Sequence, residues 1–174
     1  MLAPSIALRN RYDTYGININ NSSIVLKIEY NEQSVILTGD AQWDSWARVT
    51  EDFPHFEKTE NPDQKIKISD TYNPLRCQVL KVSHHASKHG TSLEYIERLS
   101  PNYSAVSCGT LHNCPHQLAK DILKEKEVKT SFTTEGSIIY SIYKSVKCYQ
   151  SDDGVKDNPN LYSFVKKTSK DFDI

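Results

Sequence analysis

The feature that most constrains this chain is a short apolar strand that runs into two adjacent histidines. The apolar residues within Cys77–Val82 predict the strand, and His84 and His85 follow it almost at once. Because a strand fixes the position of the groups after its carboxyl end, functional side chains often collect there in α/β proteins. Imidazole is the commonest metal ligand and the commonest acid–base group near neutral pH. The stretch therefore predicts a histidine site at one edge of a sheet.

A second predicted strand places a carboxylate in the same way. Ser34–Thr38 is apolar at its centre and ends in Gly39 and Asp40. A carboxylate and imidazoles at the ends of two strands are the donors that a metal-assisted hydrolytic site needs. Each feature also has a plainer interpretation, since Asp40 by itself is a common turn residue. The two histidines by themselves could be one core residue and one surface residue, because adjacent side chains on an extended strand point to opposite faces.

The order of the predicted elements favours a layered α/β sandwich with a mixed β-sheet flanked by helices. Ile24–Tyr30 and Ser34–Thr38 form a predicted hairpin, and residues 51–75 form a predicted surface insertion. The other predicted elements are helices at Gln42–Val49, Thr91–Leu99 and Pro115–Lys126, and strands at Tyr103–Cys108, Val128–Thr133 and Ser137–Tyr143. The chain lacks a Walker loop, a GxGxxG and a GxSxG, so nucleotide-binding folds and serine hydrolases have no support.

Length and composition indicate one domain, or a large piece of one, in 174 residues. Only 37% of the residues are hydrophobic and the mean hydropathy is −0.59, which suggests a missing part or a partner surface. A net charge of −1 gives no overall positive potential to attract nucleic acid, although a local groove and bound metals can supply one. No apolar run suits a signal peptide or a membrane span, and the four cysteines lack CxxC spacing, so we expect a cytoplasmic protein.

Further candidate residues lie in the loops beyond the histidine strand. Ser87 could contact an anion, and His89 is expected to face solvent. Asn113 and His116 lie at a predicted helix N-terminus, where unpaired N–H groups and partial positive charge favour anions. His116 could therefore donate a proton or hold a phosphate oxygen, or it could simply begin the helix. His55, in the insertion, is expected to be a solvated loop residue.

Seven short motifs form a more specific pattern together than apart. In chain order they are Leu2-Ala3-Pro4, Asn21-x-Ser23, Leu37-Thr38-Gly39-Asp40, Lys81-Val82-Ser83-His84-His85-Ala86-Ser87, Ser107-Cys108-Gly109, Asn113-Cys114-Pro115-His116 and Thr134-Glu135-Gly136-Ser137-Ile138. This order resembles the C-terminal half of metallo-β-lactamase-fold hydrolases, in the branch around the hydrolase domain of the ComEC competence proteins. The resemblance spans roughly residues 2–142, and the Gly-Asp and His-His blocks are its most specific parts.

The resemblance implies half or most of an αββα sandwich in residues 1–143, followed by a polar C-terminal tail at 144–174. In the complete family two divalent metals, often zinc or manganese, activate a bridging water. By resemblance, Asp40 would bridge the metals, His84 would be the first choice for a metal ligand, and His85 and His116 would support the ligands or the leaving group. The site assignment is Asp40, His85 and His116 as catalytic residues, Asp40 and His84 as metal ligands, and Ser87 and Asn113 as substrate contacts.

The chain departs from the family pattern at three places. Ala86 stands where the branch usually has glycine, and His116 follows a proline instead of preceding one. The H-x-H-x-D-H metal motif, which precedes these blocks in the family, has no counterpart in this sequence. We therefore expect a complete site to need an N-terminal half or a partner chain.

The predicted function is metal-dependent hydrolysis of a phosphodiester, in nucleic acid or a nucleotide, by analogy with the fold family. An alternative from a different class is a catalytically inactive remnant or interaction module of the same fold. A further alternative is a thioesterase or lactonase, which a substrate panel would separate. Two structural expectations follow: Asp40 and His84 should approach within a few ångströms, and the chain should expose an apolar sheet face or pair with another chain.

Overall fold

The computed structural model describes residues 1–4, 19–54, 73–109 and 114–151. The helices are α1 (Trp43–Asp52), α2 (Leu93–Leu99) and α3 (Gln117–Glu125). The strands are β1 (Leu26–Tyr30), β2 (Gln33–Leu37), β3 (Val79–Lys81), β4 (Tyr103–Val106), β5 (Lys129–Phe132), β6 (Ser137–Ile142) and β7 (Val146–Ser151). Within these ranges, none of the helices is both long enough and apolar enough to cross a membrane.

β1 to β5 form one mixed sheet in their sequence order. β1 and β2 form an antiparallel hairpin, whose turn residues Asn31 and Glu32 have φ angles of 48° and 63°. β2 to β5 run parallel, and α1, α2 and α3 connect the successive pairs. The predicted mixed α/β fold is confirmed, and the elements follow the predicted order as far as β6. As a result, the carboxyl ends of β2 to β5 lie at the same edge of the sheet.

A single buried cluster joins the sheet to the helices. The sheet contributes Ile36, Leu80 and Val106, each at most 1% exposed. The helices contribute residues at the spacing of one helical face, namely Trp46, Val49, Tyr95, Ile96, Leu99, Ala119, Ile122 and Leu123. The sequence pattern places Trp43, Trp46 and Ala47 on one face of α1, but only Trp46 of these three is buried. Helix α1 therefore packs on a narrower face than the pattern predicts.

β6 and β7 form a separate two-stranded antiparallel sheet. The sequence predicted β6 but no strand within the polar segment after residue 143; the first part of that segment pairs with β6 as Val146–Ser151. The hydroxyl of Tyr140 donates to the carbonyl of Ser104 at 2.9 Å, which joins this sheet to β4. Burial raises the pKa of Tyr140, so its phenol stays protonated and able to donate.

One face of the β1–β2 hairpin is apolar and exposed. Leu26, Ile28 and Tyr30 alternate along β1 and are 37%, 52% and 56% exposed. Leu37 pairs with Leu26 across the hairpin, lies on the same face and is 40% exposed. The expected exposed apolar sheet face is therefore present in the described part of the chain. Large contiguous apolar patches on a protein surface commonly mark interaction sites.

Candidate active site

Asp40 and His85 meet at the carboxyl edge of the sheet. β2 and β3 are parallel neighbours, so the residues after Leu37 and Lys81 leave the sheet at the same edge. Oδ1 of Asp40 lies 3.7 Å from Nε2 of His85, and these side chains are 39% and 48% exposed. The sequence predicted an approach of Asp40 to His84, and the contact that the structure shows is with the neighbouring His85.

The two histidines lie in a left-handed turn and not on an extended strand. β3 ends at Lys81, and φ is 46°, 55° and 59° at His84, His85 and Ala86. The left-handed conformation costs roughly 1–2 kcal/mol per non-glycine residue, and backbone strain of this kind clusters at functional sites. The alternation of side chains along a strand therefore does not apply to these two histidines. Their rings nevertheless have different surroundings. Because this conformation favours glycine, the glycine that the resemblance implies at the position of Ala86 would suit the turn.

Contacts from distant segments hold this turn in place. The hydroxyl of Ser83 donates to the carbonyl of Ala41, in the loop that carries the candidate carboxylate. The backbone N–H of His116 donates to the carbonyl of Ala86 at 2.9 Å, which joins the start of α3 to the turn. These bonds offset the cost of the strained backbone and tie the turn to both neighbouring loops.

The hydrogen bond of His85 determines which of its ring nitrogens is available. Nδ1 lies 2.6 Å from the carbonyl oxygen of Ser107. Because a carbonyl only accepts, Nδ1 carries the proton of the neutral ring, and Nε2, beside Asp40, keeps its lone pair. Histidines that bind metals commonly donate their other N–H to a backbone carbonyl in this way. His85 therefore has the arrangement of a ligand or a base.

His84 faces two amide side chains. Its Nδ1 lies 2.8 Å from Nε2 of Gln42, and its Nε2 lies 3.4 Å from Nδ2 of Asn20. Desolvation lowers the pKa of His84 and outweighs the opposing attraction of Asp40. The ring is therefore neutral near neutral pH, and its two nitrogens already have neighbours. This geometry favours His85 over His84, the first choice from the sequence, as the ligand beside Asp40.

Acid should destabilise the fold through His84. An unfolded histidine titrates near about pH 6.5, and the folded pKa of His84 is lower, so between these values the unfolded chain binds more protons. Stability should therefore fall as the pH drops from about 6.5 through the folded pKa. His84→Gln, which keeps a hydrogen-bonding side chain that does not titrate, should weaken this dependence. Urea unfolding at about pH 7.5 and about pH 5 measures it, with the exposed His89→Gln as a matched control. Equal pH dependence in the wild type and His84→Gln would contradict the expectation.

The Gly39-Asp40 turn depends on close packing. Gly39 has a φ of +53°, and a Cβ atom there would lie 3.2 Å from Cβ of Ser23. The hydroxyl oxygen of Ser23 accepts the backbone N–H of Asp40 at 3.2 Å, and Nζ of Lys81 donates to the carbonyl of Gly39 at 3.0 Å. Desolvation lowers the pKa of Lys81, while the nearby charge of Asp40 raises it. The side-chain nitrogen of Lys81 therefore lies beside the turn that carries Asp40.

Sequence reasoning gave no role to Gln42, Ser107 or Lys81. Gln42 lies two residues from Asp40, and Lys81 lies within the histidine motif, so nearness in sequence was an available signal for both. Ser107 acts through its main-chain carbonyl, a group that every residue has. No side-chain pattern could therefore have identified its contact with His85.

His116 lies at the N-terminus of α3. Its Nδ1 accepts the backbone N–H of Leu118 at 3.2 Å, which satisfies one of the unpaired donors of the helix end. The helix consequently begins at Gln117, two residues after the predicted start at Pro115. The capping role accounts for a histidine at this position, and its catalytic role stays a prediction.

Of the two predicted substrate contacts, the structure describes Ser87 but not Asn113. Ser87 is 8% exposed, and its hydroxyl oxygen accepts the backbone N–H of Gly90 at 3.2 Å. That contact stabilises the loop after the histidines, so Ser87 has a structural use. Asn113 lies outside the described residues, as does His55. Contact of Ser87 or Asn113 with substrate stays a prediction.

Asp40 and His85 offer two donors of suitable chemistry for zinc or manganese. The free lone pair on Nε2 of His85 and the half-exposed carboxylate of Asp40 fit part of a metal site. Among the residues that the structure describes, no three His, Cys, Asp or Glu side chains form a cluster suited to a metal ion. Because a tight zinc site takes about three or four protein ligands, this pair alone would hold a metal weakly.

Comparison with known proteins relates this chain to a bacterial protein. No protein-family model matches the chain. The chain is similar to the ComE operon protein 3 of Bacillus subtilis (strain 168), with 30% identity over 128 residues. The matched region is 72% of this chain but 14% of that protein, so the chain spans a small part of its relative's length. This similarity supports the relationship to ComEC-like proteins that the motifs suggested.

Proposed function

We propose that this chain is part of a metal-dependent phosphodiesterase of the metallo-β-lactamase fold, acting on nucleic acid or a nucleotide. The observation that carries the proposal is the pair formed by Asp40 and His85, whose donor atoms lie 3.7 Å apart at the carboxyl edge of parallel strands. The relationship to ComE operon protein 3 supports it, because the same motifs suggested the ComEC branch and its phosphodiester chemistry.

Each residue of the site would have a distinct task. Asp40 and His85 would hold a divalent metal, which when bound supplies an activated water and stabilises developing negative charge. The carbonyl of Ser107 would keep Nε2 of His85 available by holding the proton on Nδ1. Lys81 in its protonated form would place a positive charge near an anionic substrate.

A second candidate is a catalytically inactive module of the same fold. The observation that favours it is the small number of donors, because Asp40 and His85 lack a third partner among the described residues. The two functions differ in what completion of the site would achieve. A hydrolase would gain activity when further ligands are supplied, whereas a remnant would not.

The chain alone should bind zinc or manganese weakly and hydrolyse little or no bis-p-nitrophenyl phosphate. A two-metal site needs about six protein ligands, and we can name only Asp40 and His85 with His84 and His116 as further candidates. Supplying an N-terminal half with the H-x-H-x-D-H motif, in cis or in trans, should produce hydrolysis. Calorimetric metal titration and an absorbance assay measure the two effects. Rapid metal-dependent turnover by the 174-residue chain alone would contradict the ligand count.

The apolar hairpin face provides a control for this reconstitution. If the added half packs on the face that contains Leu26 and Ile28, Ile28→Glu should prevent reconstitution in trans, because a buried unpaired carboxylate is costly. Leu118→Glu, at an exposed leucine on α3, is the matched control and should have no effect. If the two halves assemble but the complex hydrolyses no phosphodiester, the result would favour the inactive module.

A further inference from the structure

An exposed aromatic pair lies beside the candidate site and takes little part in the core. Trp43, the first residue of α1, is 53% exposed, and His89 is also exposed. Their ring centroids lie 5.6 Å apart, with an angle of 59° between the ring planes. Trp46 provides the buried indole of the same helix, so the helix does not need Trp43 to close its core. A large aromatic surface left in water is therefore available for a ligand.

The pair is close to the groups that would perform the chemistry. Trp43 follows Asp40 by three residues, a span of at most about 11 Å. Gln42, between them, contacts the ring of His84 at 2.8 Å. His89 follows His85 by four residues. A ligand held at the carboxylate could thus extend to the aromatic pair without crossing the domain.

Open space lies on one side of Trp43. Trp43 lines a cavity of about 990 Å³ between α1 and α2, whose charged lining residues are Arg98, Glu51 and Glu94. Lys88, next to His89 in the chain, is exposed. Aromatic faces combined with cationic groups are the usual means of binding single-stranded nucleic acid.

We propose that Trp43 and His89 form a stacking platform for a nucleobase next to the phosphodiester held at Asp40 and His85. This inference rests on the proposed function and names its substrate class, a phosphodiester that carries nucleobases. Every base has an aromatic face, so the platform would accept many sequences, and one stacked base would contribute roughly 5- to 150-fold in affinity.

The test compares two labelled single strands that differ only in their bases. Fluorescence anisotropy measures the binding of the 174-residue chain to a strand of about eight thymidines and to an abasic strand of the same backbone. The wild type should bind the thymidine strand at least about five-fold more tightly. Trp43→Leu, which keeps an apolar side chain without an aromatic face, should remove this preference and leave abasic binding unchanged. Trp43→Phe should keep most of it.

A control variant and a competition experiment complete the test. Tyr143→Leu removes another exposed aromatic ring, on the turn between β6 and β7, and should not change the preference. A thymidine dinucleotide added as a competitor separates a nucleotide substrate, which competes well, from a nucleic acid strand, which it displaces poorly. Strong competition and weak competition by the dinucleotide both support the stacking platform.

Several results would overturn the platform without deciding the hydrolase proposal. Equal affinity of the wild type for both strands, no binding of either strand, or an unchanged preference in Trp43→Leu would each do so. Conversely, a base preference that depends on Trp43 would support the platform even if the completed protein hydrolysed nothing, because the assay measures binding and not turnover.

Discussion

Asp40→Asn and His85→Ala should each abolish phosphodiester hydrolysis in a protein whose site has been completed. Asp40→Asn removes the carboxylate charge at nearly constant shape, and His85→Ala removes the nitrogen that lies 3.7 Å from it. Loss of a metal ligand should cost about 10³-fold or more in kcat/KM, or roughly 4 kcal/mol of transition-state stabilisation. The measurement is metal-dependent hydrolysis of a generic phosphodiester, with circular dichroism to show that the fold persists.

His84 and an exposed carboxylate supply the controls for this prediction. Because the ring nitrogens of His84 already lie beside the amides of Gln42 and Asn20, His84→Ala should cost only about 10- to 100-fold. Asp121→Asn, on the exposed surface of α3, should leave turnover unchanged. A greater loss in His84→Ala than in His85→Ala would reverse our assignment of the two histidines.

Trp46→Ala should be among the most destabilising single substitutions in this chain. Trp46 is 2% exposed and stacks on Tyr95, with ring centroids 4.8 Å apart and an angle of 16° between the planes. Truncation of a buried aromatic residue costs about 3–5 kcal/mol, because contacts are lost and a cavity remains. For a domain of this size that corresponds to a fall in Tm of roughly 10 °C. Urea unfolding followed by circular dichroism measures the loss.

The second tryptophan of the same helix is the matched control. Trp43 is 53% exposed, so Trp43→Ala should cost less than about 1 kcal/mol. Trp46→Phe should cost less than Trp46→Ala, because it keeps an aromatic ring and removes an indole N–H that has no partner among the described residues. Similar losses for Trp46→Ala and Trp43→Ala would contradict the packing of α1.

The order of the elements up to β6 and the position of the candidate site were predictable from local pattern. Apolar runs followed by Gly39-Asp40 and by His84-His85 indicated two strands that deliver a carboxylate and imidazoles to one edge. That inference is sound because parallel neighbours have their carboxyl ends on the same side, whatever the details of packing. The strand β7 was missed because its residues alternate polar and apolar types only weakly, and its pairing with β6 provides the missing signal.

The sequence by itself determined the mixed α/β fold and the edge of the sheet at which Asp40 and the two histidines lie, since these depend on the spacing of apolar and polar residues. Only the tertiary structure decided which histidine faces Asp40. The left-handed turn at His84 and His85 depends on contacts with segments distant in sequence, and the carbonyl of Ser107 determines where the proton of His85 lies. The exposure of Trp43 was decided in the same way, because the sheet and α2 bury only part of the apolar face that the α1 sequence offers. Backbone contacts between distant segments leave no pattern in side-chain type, so local sequence cannot reveal them.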